Sequence, residues 1–204
     1  MISTGCKALD AILDGGVRIN TLTNIFGESA TGKTQFCFQL ALNFARLNNN
    51  ILFIDTLNNF RPERILEMQY YNDIKSNVLD NIYVYKPLGI RNILDIIDEI
   101  DARLIVIDDI SELLLNIDTK SISKLVTFMH KLALKAIKYD LAVVITNRVT
   151  FTDNQKFDNL ISRFMHYKIR FKRLNSLFSA EMLYPNEATV YFRISRKGLE
   201  DYYL

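Results

Sequence analysis

The chain has 204 residues, of which 49% are hydrophobic and 24% charged, a composition that fits one globular unit with a sizeable core. Its net charge of +2 is too small to establish a polyanion partner. Two cysteines without metal-ligand spacing, an N-terminus without a basic-then-apolar leader and the lack of any bilayer-length apolar run exclude a disulfide scaffold, a secreted precursor and a membrane-spanning chain. The expectation is a soluble, cytoplasmic protein with no membrane partner.

In chain order, residues 22–26 read as a short apolar strand and residues 35–47 as an amphipathic helix. Between them lies Gly27-Glu28-Ser29-Ala30-Thr31-Gly32-Lys33-Thr34, a complete phosphate-binding loop in the strand–loop–helix setting that such a loop requires. Backbone N–H groups of the loop and the helix start can surround phosphate oxygens. Lys33 adds a point charge, and the Thr34 hydroxyl can ligate Mg²⁺. This stretch predicts a bound nucleoside triphosphate.

Residues 51–55 form a second strand after the polar turn 48–50, and Pro62 opens a helix expected to bury Ile65, Leu66 and Tyr70. A strand at 81–85 ends at Pro87-Leu88-Gly89. Ile93, Ile96, Ile97 and Ile100 then repeat at helical spacing before a buried strand at 104–108. The longest helix is predicted over 121–139, with Ile122, Leu125, Val126, Met129, Leu132, Ala133 and Ala136 facing the core. A strand at 141–146 follows. Beyond residue 159 Tyr167, Ile169 and Phe171 alternate with Lys168, Arg170 and Lys172, and 189–194 repeats the alternation, which predicts antiparallel edge strands. The pattern predicts an α/β fold: a twisted, mainly parallel sheet flanked by helices, with antiparallel strands at the C-terminal end.

Three groups of side chains carry candidate chemistry. Asp108 ends an aliphatic run, so its carboxylate falls at the sheet edge near the phosphate loop, where it can hold Mg²⁺ through water. No acidic residue occurs from 159 to 180, whereas Arg163, Lys168, Arg170, Lys172 and Arg173 all do. These cations could neutralise nucleic-acid phosphates, with Phe151, Phe157 and Phe164 for base stacking, or could form the solvated face of an edge strand. Both readings stand at this level. Cys37 lies among Phe36, Phe38 and Leu40 and is expected to be a buried thiol, and His130 and His166 are too far apart to form a metal site.

Several segments, in order along nearly the whole chain, resemble the ATPase core of the RecA superfamily, nearest the archaeal RadA recombinases and their shorter RadB-type paralogues. They are Ser3-Thr4-Gly5-Cys6-Lys7-Ala8-Leu9-Asp10 with Gly15-Gly16-Val17, Phe53-Ile54-Asp55-Thr56 with Phe60-Arg61-Pro62-Glu63-Arg64, and Val143 to Val149. The closing segment is Glu187 to Ile194 followed by Gly198-Leu199-Glu200-Asp201. The resemblance implies a single RecA-like P-loop NTPase core over 1–204, without the family's N-terminal helical DNA-binding domain. It also implies ATP and Mg²⁺ as cofactors, with single-stranded DNA and a RadA-type recombinase as partners in recombination and repair. Arg64 resembles the arginine that packs on adenine, against the alternative of a helix-surface arginine.

The departures narrow the expectation. Family recombinases carry a glutamate after the Asp-Thr pair to polarise the attacking water; here the position is Leu57. Loss of a positioned base costs ~10²–10⁴-fold in rate. Asp109 could substitute, or be a solvated acid on the following loop. The family's phosphate-sensing glutamine is replaced by Arg148, which could contact phosphate or point outward as a loop cation. The stretch 150–158, carrying Phe151, Lys156 and Phe157 as candidate DNA contacts, is shorter than the family's DNA loop. The expected protein binds ATP, hydrolyses it weakly or not at all, and modulates the main recombinase on single-stranded DNA. The alternatives are a non-enzymatic protein-interaction adaptor and a KaiC-like signalling ATPase.

Overall fold

A computed structural model describes residues 1–114, 119–148 and 160–202. Among the described residues nine strands form one sheet in the order β3-β2-β4-β5-β1-β6-β7-β8-β9. The strands are β1 (Thr21–Gly27), β2 (Ile51–Asp55), β3 (Ile82–Tyr85), β4 (Leu104–Asp108), β5 (Ala142–Arg148), β6 (Tyr167–Leu174), β7 (Leu177–Tyr184), β8 (Ala188–Ser195) and β9 (Gly198–Tyr202). The first six pair in parallel, β6 joining β1, and β6 to β9 continue antiparallel.

β2 and β4 are buried along their whole length, as a parallel strand covered on both faces must be, and their sequences are correspondingly aliphatic. Alternation divides their side chains between two cores. Ile51, Phe53, Leu104 and Val106 face the cluster that contains Phe36 and Leu40 of helix α2 (Lys33–Ala45). Leu52, Ile54, Ile105 and Ile107 face the opposite cluster. There they meet Ile93 and Ile97 of α4 (Ile90–Glu99) and Leu125, Phe128, Met129 and Leu132 of α5 (Thr119–Lys138). A short α1 (Lys7–Ile12) precedes the sheet, and α3 (Pro62–Tyr71) follows β2.

Three expectations are corrected. On α3 the buried residues are Ile65 and Met68, while Leu66 and Tyr70 are exposed, because the helix presents a narrow stripe rather than the face first read. On α5 Ile122 is exposed and Phe128 takes its place in the core. The alternating strand β6 is not an edge: it lies between β1 and β7, and β9 closes that side of the sheet. No described helix is long and apolar enough to cross a membrane.

Candidate nucleotide-binding site

The C-terminal ends of β1, β2, β4 and β5 open onto one cleft of about 490 Å³, where open parallel sheets place their ligands. Its walls are residues 29–34, Leu57, Arg64, Asp108, Asp109, Arg148 and Ile194. β1 delivers the glycine loop and α2 leaves it, starting at Lys33 with Gly32 as a cap that contributes no side-chain bond. Gly32 has φ +94, a left-handed conformation that favours glycine, while a Cβ there would displace only the tip of the Ile194 side chain, 2.7 Å away. A Cβ on Gly27 would collide with the Phe171 carbonyl of β6, so the loop is built against the neighbouring strand.

Lys33 is buried and donates from Nζ to the carbonyls of Gly27 (2.9 Å) and Glu28 (2.6 Å). Burial lowers its pKa below the usual lysine value; Asp109 and Asp108 oppose that fall and Arg148 adds to it. Thr31 Oγ1 donates to the Glu28 carbonyl at 2.9 Å, which closes the loop.

Asp108 is 3% exposed and accepts two hydroxyls, from Thr34 on Oδ2 (2.8 Å) and from Thr146 on Oδ1 (2.5 Å). Burial raises its carboxyl above the usual range, more than the two hydroxyls and Lys33 lower it. A hydroxyl and a desolvated carboxylate side by side form a hard-oxygen pair suited to Mg²⁺.

Asp109 is equally buried, which removes the solvated-loop reading. The Thr56 hydroxyl donates to its carbonyl (2.7 Å) and accepts from its N–H (2.9 Å), and its Oδ1 accepts from Ser111 N–H (2.7 Å). Arg148 lies in register with Gly27 and lines the cleft, so it does not point away as a loop cation. Leu57 occupies the wall where the catalytic glutamate was expected.

Arg64 is no free surface arginine. Nε donates to Gln35 Oε1 (2.8 Å), Nη2 to the Ser195 carbonyl (2.5 Å), and Nη1 to the Arg196 carbonyl (3.1 Å) and to Glu67. These bonds fix the guanidinium at the cleft wall.

The candidate nucleic-acid residues are less uniform. Across the β6–β7 ladder Glu181 pairs with Arg170 (3.4 Å) and Lys172 (2.5 Å). Geometry leaves Arg170 Nε without a proper hydrogen bond despite that approach, so the contact is chiefly electrostatic. Lys168 Nζ sits over the Phe26 ring at 5.1 Å. Arg163 and Arg173 are exposed, whereas Phe164 packs partly into the core. Phe151, Lys156 and Phe157 lie outside the described residues. Cys37 is a buried free thiol, as is Cys6, whose pKa burial and Asp201 push up to about 12.

Sequence reading missed Thr56, Ser111 and Thr146. Thr146 had a signal, a polar residue ending a fully aliphatic run beside the phosphate loop. Thr56 and Ser111 had none, because their roles depend on the pairing of β2, β4 and β5.

The Rad51 family profile matches residues 1–159. The "DNA repair and recombination protein RadB" of Thermococcus sibiricus (strain DSM 12597 / MM 739) is 32% identical over 224 aligned positions, covering 98% of this chain and 95% of that protein. A crystal structure titled for the RadB recombinase superposes with a TM-score of 0.84 at 24% identity, covering all of both chains, which establishes the likeness of fold.

Proposed function

Because the chain belongs to the Rad51 family of RecA-like proteins, with a RadB-like sequence, we propose that it is a DNA repair and recombination protein that binds Mg-ATP and hydrolyses it slowly. The observation that carries this reading is the Thr34–Asp108–Thr146 chain beside Lys33, opposite a leucine. Thr34 and Asp108 would hold Mg²⁺. The metal, when bound, neutralises phosphate charge.

The loop N–H groups and Lys33 bind phosphate oxygens. In doing so Lys33 exchanges its two loop carbonyls for a charged partner. Arg148, on the cleft wall, would meet the terminal phosphate, and Arg64 would offer its guanidinium to the base. Leu57 can neither accept a proton nor orient water. Asp109, held by Thr56 and Ser111, is the acid available in its place, fixed in orientation but buried. ATP therefore acts chiefly as a conformational ligand, and its effect is bounded by how differently it binds two states.

Single-stranded DNA engages Arg163, Lys168, Arg170, Lys172 and Arg173, with Phe151, Lys156 and Phe157 on the adjoining segment, and the partner is a RadA-type recombinase. One observation favours the second reading, an interaction adaptor on the same scaffold: Glu181 already neutralises two of the five described cations.

Titration calorimetry of Mg-ATP onto the protein and onto Lys33→Ala tests the nucleotide reading. The variant is expected to bind about tenfold to hundredfold more weakly, the equivalent of one hydrogen-bonded charge. Equal affinity of the two proteins would sink the reading.

A further inference from the structure

Ser111 lies on the short 3-10 turn Ile110–Leu114 that follows β4 and makes three polar contacts that converge on the cleft. Its N–H donates to Asp109 Oδ1 at 2.7 Å. Its hydroxyl donates to Asn147 Oδ1 at 2.5 Å and accepts from Arg148 N–H at 2.8 Å. One residue thus ties the end of β4 to the end of β5. The two charged residues it holds, Asp109 and Arg148, both line the cleft and both act on Lys33.

We propose that Ser111 is a positioning residue that sets the preference for a nucleoside triphosphate over a diphosphate, by holding the Asp109 carboxylate and the Arg148 guanidinium at one spacing beside the phosphate loop. This rests on the nucleotide reading above. A third phosphate brings added negative charge to the place where one residue attracts it and the other repels it. The balance between opposite charges a few ångströms apart in a buried site is steep in distance. Arg148 is already in register with Gly27 of β1, but β4 and β5 pair only as far as Ile145, so without Ser111 a long arginine side chain would hang from a strand end held on one side and would lose part of that discrimination. The Ser111 hydroxyl removes this freedom at the backbone, before the side chain begins.

The test is equilibrium binding of fluorescent ATP and ADP analogues with Mg²⁺ to the full chain, to Ser111→Ala, Ser111→Thr and Arg148→Gln, and to the Ser111→Ala/Arg148→Gln pair. Ser111→Ala is expected to lower the ATP:ADP affinity ratio about tenfold, the effect of losing one buried hydroxyl network. Ser111→Thr keeps both hydroxyl bonds and restores the ratio. Arg148→Gln lowers it on its own, and Ser111→Ala then adds nothing, because its effect passes through Arg148. If Ser111→Ala does not fold, Ser111→Cys, whose thiol is only a weak donor and acceptor, is expected to lower the ratio in the same direction by a smaller factor, and an unmoved ratio there overturns the proposal. A ratio unmoved by Ser111→Ala, or lowered by the same factor again in the Arg148→Gln background, overturns the proposal. Should the unaltered protein bind neither nucleotide, or bind no better than Lys33→Ala, the nucleotide reading fails and takes the proposal with it.

Discussion

Replacing Leu57 by glutamate asks whether a missing base is what holds hydrolysis back. The backbone there is already fixed. Asp55 accepts from Asn59 N–H (3.0 Å) and Phe60 N–H (2.9 Å), and Thr56 is bonded to both sides of the Asp109 peptide unit. Leu57→Glu therefore changes the chemistry of the cleft wall without moving the turn. A positioned base is worth ~10²–10⁴-fold. The buried Asp109 shares the cleft and repels a second carboxylate, so the lower end applies: about hundredfold, or about 2.7 kcal/mol of transition-state stabilisation. Loss of a half-buried leucine costs about 1 kcal/mol, which for a chain of this size lowers Tm by about 2–4 °C. Phosphate release at saturating Mg-ATP, with Leu57→Glu/Lys33→Ala as blank, measures the gain. Unchanged turnover in a variant that folds and binds ATP normally would refute the reasoning. A fall on Asp109→Asn in the unaltered background would then identify Asp109 as the working base.

Asp108→Asn should separate stability from function. The native carboxyl has a raised pKa, so it holds its proton more tightly than the unfolded chain does. Its contribution to stability is present below the ordinary aspartate pKa and lost as pH rises through the native value. At neutral pH the variant is expected to melt higher than the unaltered protein, with the difference vanishing in acid, while losing Mg-ATP binding; a lower Tm at neutral pH would contradict this. Glu181→Gln releases Arg170 and Lys172, so affinity for a single-stranded oligonucleotide should rise several-fold and the log–log salt slope steepen by about 0.7–1.4. An unaltered slope would take those two cations out of the interface.

The parallel half of the fold was legible because its strands are buried on both faces and read as unbroken apolar runs, Ile51 to Ile54 and Leu104 to Ile107 among them. The phosphate loop was legible because glycine and lysine positions there answer to local geometry. β7 was not read, since Ser179 and Glu181 interrupt its apolar pattern and only pairing with β6 and β8 makes it a strand. That omission hid the most consequential surface feature. Glu181 stands one residue beyond the acid-free stretch in sequence, yet across the ladder it faces the centre of the basic strand. Arg64 and Ser111 were opaque for a related reason: their partners come from chain segments far away in sequence, 131 residues away for the Ser195 carbonyl and 37 for Arg148 N–H.

A nucleotide-controlled DNA contact would show in the fluorescence anisotropy of a labelled oligothymidylate, followed over a salt series with and without Mg-ATP. Binding is expected to weaken with a log–log slope of about −2 to −3.5, from three to five phosphate contacts, to tighten with Mg-ATP, and to lose the nucleotide effect in Lys33→Ala. No binding at low salt, or binding indifferent to both salt and nucleotide, would contradict it and leave the interaction adaptor as the function of this scaffold.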